Sequence, residues 1–235
     1  MRPLLLAAAL FAAACSPFPT HPVGAPPEEV AADMAHARAQ VASARALARV
    51  NVDDGGELGL APTFTVTLEY TAPDGYQVRG YDDWGTPLFT YAAQGKSYLF
   101  DVPGKKPLQG AIDHHPDLTV RIMHALVHLV DGVAGVDLKG QVPARHRDGT
   151  WRFDDDGMQV RFSAVGTRVA KVITAPRLGA ALTIDFSDFR TLGGQPAPHH
   201  MTATLARPRV ILEIDVDEWV IRAPEIPLTR LGNGH

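Results

Sequence analysis

The sequence predicts a mainly β protein with helices, built from about eleven short antiparallel strands wrapped as a barrel or sandwich, with a helix inserted mid-sheet. Three observations predict it. In "TFTVTLEYT", Phe64, Val66, Leu68 and Tyr70 alternate with Thr63, Thr65, Thr67 and Glu69, the period-two pattern of a strand with one apolar face. Further runs of this kind stand at 43–53, 76–81, 87–93, 97–102, 150–153, 158–165, 168–174, 180–187, 199–206 and 209–222, separated by turns such as "APDG", "PGKK" and "LGGQPAP". Short strands at that spacing are the signature of a barrel or sandwich. Between them, "HPDLTVRIMHALVHLVDG" changes the period to that of a helix.

The chain opens with Arg2 and the apolar run "LLLAAALFAAA". Eleven residues at 1.5 Å each span only about half of a ~30 Å hydrocarbon core, so the run reads as a signal peptide over 1–14 and not as a membrane helix. Cys15, the one cysteine, follows three alanines. The stretch 12–15 resembles the lipobox of bacterial lipoproteins, which implies acylation of the Cys15 thiol and anchoring by lipid. Ser16 stands where Asp would signal retention at the inner membrane, so the outer membrane of a Gram-negative envelope is the expected site. Five prolines in "SPFPTHPVGAPP" make 15–27 an extended tether, and 28–235 forms one domain large enough for a substantial core.

The net charge is −4 with Arg2 counted, and no basic run is interleaved with aromatics, so nucleic acid is not an expected partner. After the tether, "EEVAADMAHARAQVASARAL" places Val30, Met34, Ala37, Val41 and Ala44 at helical spacing, with acids in the first turn. In the inserted helix, Pro116 is expected at the first position and Gly132 at the C-cap. Leu118, Ile122, Ala125, Leu126, Leu129 and Val133 form an apolar stripe, opposite a stripe of Asp117, Arg121, His124, His128 and Asp131. A helix with only an antiparallel sheet to pack on covers its concave face or the mouth of a barrel. The aspartates at 53–54 and 154–156 read as solvated turns.

His124 and His128 have zinc-compatible spacing, with Asp131 one turn on and His114, His115, His199 and His200 elsewhere in the chain. No Glu follows His124 as a metalloprotease helix requires, and the pair lies on the polar stripe, so it reads as a solvated face. Ser187 in "DFSDF" lacks the glycines of a nucleophile elbow, and Asp185 and Asp188 read as outward strand positions. No metal, cofactor or enzymatic activity is expected.

"YDDWGT", 81–86, reads as a hairpin turn between "YQVRG" and "LFTYAA", yet it carries Trp84. A ring there either folds back on Tyr81 or Phe89 or stays out to meet a membrane interface, where tryptophan's apolar body and N–H are both accommodated.

The order of these parts, an N-terminal helix, the run "TAPDGYQVRGYDDWGTPLFTYAAQGKSYLFDVPGKKPLQG", a helical insertion, more strands and a closing "ILEIDVDEWVI", resembles the LolA/LolB superfamily over roughly 43–222. The resemblance implies a curved, incomplete antiparallel barrel closed by a helical lid, with acyl chains held inside. The lipobox points to the LolB-type outer-membrane receptors, in which the turn matching "DDWGT" protrudes with an exposed apolar residue that serves lipoprotein insertion; Trp84 holds that place. On this reading Phe64, Val66, Leu68 and Tyr70 on the sheet face Leu118, Ile122, Leu126 and Leu129 on the lid across an acyl-binding space. The expected partners are lipoprotein acyl chains or other lipids, the membrane, and a periplasmic carrier of LolA type, with the protein a monomer. The alternative is a lipoprotein of the same fold that binds another lipid, or a structural or protein-interaction module with no cavity.

Overall fold

Alternating burial runs through nearly every strand, and it bends one face of a single sheet around the core. The computed structural model describes residues 25–54, 63–95, 97–111, 118–155, 158–176, 181–207 and 209–224, without the side chains of Leu118, Thr119, Arg121, His124, Ala125 and Pro176. Cys15, the leader, most of the tether, His114, His115, Pro116 and Asp117 lie outside the described residues.

Helix α1 (Pro27–Ala39) is followed by β1 (Ser43–Asp53), β2 (Thr63–Thr71), β3 (Gly75–Tyr81), β4 (Pro87–Gln94), β5 (Ser97–Asp101) and β6 (Leu108–Ala111). Helix α2 (Leu118–Val127), a 3-10 turn (His128–Val130) and α3 (Asp131–Ala134) come next. Then come β7 (Ala144–Arg145), β8 (Trp151–Asp155), β9 (Met158–Val165), β10 (Arg168–Pro176), β11 (Leu182–Leu192), β12 (Gln195–Ala206) and β13 (Arg209–Arg222). The sheet order is β6-β5-β4-β3-β2-β1-β13-β12-β11-β10-β9-β8-β7. Two antiparallel meanders thus meet where the first strand pairs with the last, Val50 opposite Ile214. The free edges, β6 and β7, are the strands that flank the helical segment in sequence, and the result is a curved, incomplete barrel with a helical lid.

The described residues form thirteen strands where about eleven are expected. The additions are the two edges: β6 is exposed throughout and β7 has two residues, so neither carries an alternation to detect. Short edge strands also offer little backbone for pairing with another chain. Strands β11 and β12 extend to Leu192 and back to Gln195, beyond the expected 187 and 199. Helix α1 stops at Ala39, and Ala44, expected on it, lies in β1; its inward place on the strand keeps it buried.

The inner face is aromatic in the first meander and mostly aliphatic in the second. Phe64 packs edge-on to Phe89 at 5.7 Å between centroids, and Phe89 lies 6.0 Å from Phe100. Gly80 opposite Phe89 makes this possible, because a Cβ at Gly80 would lie 2.2 Å from the Phe89 ring. The ring fills the place of the missing side chain. At the centre of the sheet the buried residues of β1 include the small Ala44, Ala46 and Ala48. Val30, Met34 and Ala37 of α1 are buried in the core, and α1 packs on α3.

Gly132 does not cap the inserted helix. It lies inside α3, where a Cβ would come within 2.7 Å of Phe186 and Pro198, and the cap is Gly135 at φ 75°. The stripe expected to be solvated is overturned for its described side chains: Asp131 is buried and His128 half-buried. The reason is an arginine on α1 that faces them.

Candidate functional site

Four features bear on function: the 82–86 turn, the concave aromatic wall, the helical lid, and a groove at the far end of the sheet. The turn is organised by Asp82. Its Oδ1 accepts the N–H groups of Trp84 at 2.9 Å and Thr86 at 2.7 Å, and its backbone pairs with Gly85 and Thr86. The bond from the Thr86 amide, joined by those from Trp84 and Gly85, holds the Asp82 carboxyl below its usual range. With Asp82 bonded to the backbone of its own turn, the tip is closed by hydrogen bonds that do not involve the tryptophan ring. Trp84 is 92% exposed, so it folds back on neither Tyr81 nor Phe89; the Gly80 notch already seats Phe89 from within.

The eight residues expected to line an acyl space fall as follows. Phe64, Val66, Leu68 and Tyr70 all face inward from β2 and are buried. Ile122, Leu126 and Leu129 of the lid are buried as well and belong to the same apolar cluster. Leu118 opens α2, and its side chain lies outside the described set. The described wall and lid residues thus belong to one buried apolar cluster.

Arg38 of α1 holds the lid at one end and was not singled out by sequence reasoning. Its guanidinium donates to the Gly135 carbonyl at 3.0 Å, the Pro73 carbonyl at 3.2 Å and the Tyr76 hydroxyl at 3.0 Å. It lies 3.8 Å from Asp131 and 3.7 Å from Asp137, and over the Tyr70 ring. Burial by itself would lower the pKa of Arg38, but Tyr76, Asp131, Tyr70 and Asp137 together raise it. His128 Nδ1 lies 2.7 Å from Asp131 Oδ2, so these two side chains form the lid's part of the contact. The signal available beforehand was slight: one arginine in an alanine-rich helix, on the side of Met34 and Ala37.

At this same end an open groove of 540 Å³ runs past the β2–β3 and β4–β5 turns, lined among others by Glu69, Asp74, Gln77, Gln94, Tyr98 and Leu99. None of the eight expected wall residues lines it. On the outer surface, His200 is held by Asp215 at 2.7 Å and Glu213 at 3.2 Å, and Lys171 by Asp185 at 2.8 Å. These are cross-strand polar contacts. Among the described residues no group of three or more His, Asp or Glu could hold a metal ion.

Comparison with solved structures bears on what this arrangement is. A LolA superfamily protein of Nitrosomonas europaea superposes on the chain with a TM-score of 0.56 at 10% identity, covering 86% of this chain and 96% of the other. The fold is that of the LolA superfamily. A candidate outer membrane lipoprotein-sorting protein domain from Vibrio parahaemolyticus is similar at TM-score 0.54 and 12% identity, over 82% of this chain and 91% of its own. So is a DUF1329 family protein from Desulfovibrio piger, at TM-score 0.53 and 12% identity, over 86% and 93%. No protein-family model and no curated protein matches the sequence. At these identities the LolA-superfamily likeness is one of fold.

Proposed function

We propose that this protein is a lipid-anchored receptor of the bacterial envelope that takes the acyl chains of lipidated proteins between its concave wall and its helical lid, and helps insert them into the outer membrane. The observation that carries the reading is Trp84. A ring of ~150–250 Å² left 92% exposed on a hydrogen-bonded turn forgoes a few kcal/mol of burial. Such a ring gains that energy from a partner outside the chain, and a membrane interface or an incoming acyl chain suits it. The superfamily fold and the lipobox-like 12–15 stretch support the same reading, and the role needs no catalytic step.

Trp84→Glu tests it. With only 8% of the ring covered in the protein, the substitution removes about 20 Å² of contact, worth ~0.5 kcal/mol, so unfolding stays nearly unchanged. Delivery of an acylated protein to liposomes falls at least tenfold. Trp151 and Trp219 are buried, so a blue shift of tryptophan emission on adding liposomes reports Trp84. Undiminished transfer with no such shift would end the proposal.

One observation favours the second reading, a module of the same fold with a filled core. The described wall and lid residues are buried in one continuous apolar cluster.

A further inference from the structure

Within the aromatic wall stands a buried polar atom, the hydroxyl of Tyr91. Tyr91 of β4 is 0% exposed, and its hydroxyl, fully buried, has no hydrogen-bond partner among the described residues. An orphaned buried hydroxyl destabilises a protein by ~1–3 kcal/mol, and phenylalanine would fill the same volume without that penalty. Its placement is not peripheral. Strand register puts Ala46, Leu68, Val78, Tyr91 and Phe100 in one row across β1 to β5, so Tyr91 stands two strands from Leu68 on the face that the lid covers. Its ring stacks on Tyr98 at 6.1 Å, nearly parallel at 18°, which fixes the ring plane and so the position of the oxygen. Burial, reinforced by Tyr98, raises the Tyr91 pKa, so the hydroxyl keeps its proton and remains a donor across the physiological range.

A hydrocarbon chain offers such a donor nothing. The one acceptor that an acylated cargo carries into an apolar space is the carbonyl oxygen at the head of the chain. We propose that Tyr91 is a cargo-binding residue whose hydroxyl donates to the ester or amide carbonyl of the acyl group, and so sets how far the chain enters. This rests on the acyl-binding reading above and deepens it. Closing the space around the hydroxyl explains the choice of tyrosine over a charged donor, because a neutral hydroxyl is the least costly donor to bury.

The test is Tyr91→Phe in the purified full chain, with equilibrium binding of tritiated methyl palmitate and of tritiated hexadecane, which lacks the carbonyl. The expected result is a five- to tenfold loss of affinity for the ester, the size of one neutral hydrogen bond, with hexadecane unchanged within twofold. The urea midpoint of the variant without ligand should equal or exceed that of the parent. Equal ester binding by parent and variant would overturn the assignment to Tyr91 while leaving the acyl-binding reading intact. A parallel loss for both probes, or a lowered urea midpoint, would also overturn it, since the hydroxyl would then be serving packing or an internal bond. If the parent binds neither probe, the acyl-binding reading falls, and this proposal with it.

Discussion

Replacing Arg38 by alanine removes the side chain that ties α1 to the lid and to the β2–β3 turn. Three hydrogen bonds from a cation are lost, those to Gly135, Pro73 and Tyr76, each worth ~1.5–3 kcal/mol when one partner is charged. Breaking a buried ion pair in general destabilises by ~3–5 kcal/mol, chiefly because the remaining charge is stranded. Here the acids are not stranded, since Asp131 keeps His128 at 2.7 Å and Asp137 keeps Lys139 at 2.7 Å. The low end, about 3 kcal/mol, is therefore expected. With a urea m-value of ~2–3 kcal/mol per M, the midpoint should drop by about 1 M with m unchanged. Arg38→Lys retains the charge but not the fork that reaches three acceptors at once, and should lose about half as much. Amide exchange at Ala134 and Gly135 should quicken in Arg38→Ala even where the midpoint allowance is met, because the lid contact is lost locally. A midpoint shift below 0.3 M (~0.6–0.9 kcal/mol at that slope), with α3 exchange unaltered, would refute the clasp.

Gly80→Ala should destabilise by ~1–3 kcal/mol in thermal or urea unfolding, because the new methyl meets the Phe89 ring at 2.2 Å with Phe64 and Phe100 behind it; an unchanged midpoint would mean that the ring moves freely. Acid should loosen the 82–86 turn. Asp82 has a depressed pKa, so what its ionised form adds to order is full above the unfolded carboxylate pKa and is lost as pH falls through the lower folded value. The amide shifts of Trp84 and Thr86, and their exchange protection after correction for the intrinsic pH dependence of exchange, should therefore change at acid pH in the parent but not in Asp82→Ala. If Cys15 is acylated as proposed, Cys15→Ser with its leader removed should leave the membrane fraction; retention of this variant would rule out the proposed anchor.

Strands with one wet face were legible because alternation is a local property: β2 could be read residue by residue, and most other strands as runs. The lid was legible for the same reason, as a stripe at helical period. What escaped the sequence depends on contacts between distant segments. Edge strand β6 has no buried face, so "LQGA" carries no pattern. Arg38 meets its acceptors 35 to 97 residues away, and nothing near it in sequence marks it. His128 and Asp131 sit on the polar side of an amphipathic helix, which ordinarily faces water; here α1 covers that side, and polarity was satisfied by Arg38 instead. Trp84 was conspicuous in sequence because a turn rarely holds a large apolar ring, whereas its exposure depended on Gly80 and Asp82 making it unnecessary to the hairpin. Tyr91 was invisible, since its oddity is the absence of a partner.

Native mass spectrometry of the protein purified from membranes in mild detergent decides whether it carries acyl cargo. An acyl-bearing species should be found bound non-covalently to the folded chain, released on denaturation, and additional to any lipid attached at Cys15. A folded chain that carries its own covalent anchor and nothing else, and that still takes up no added acylated peptide, would contradict acyl binding and leave the filled-core module as the reading.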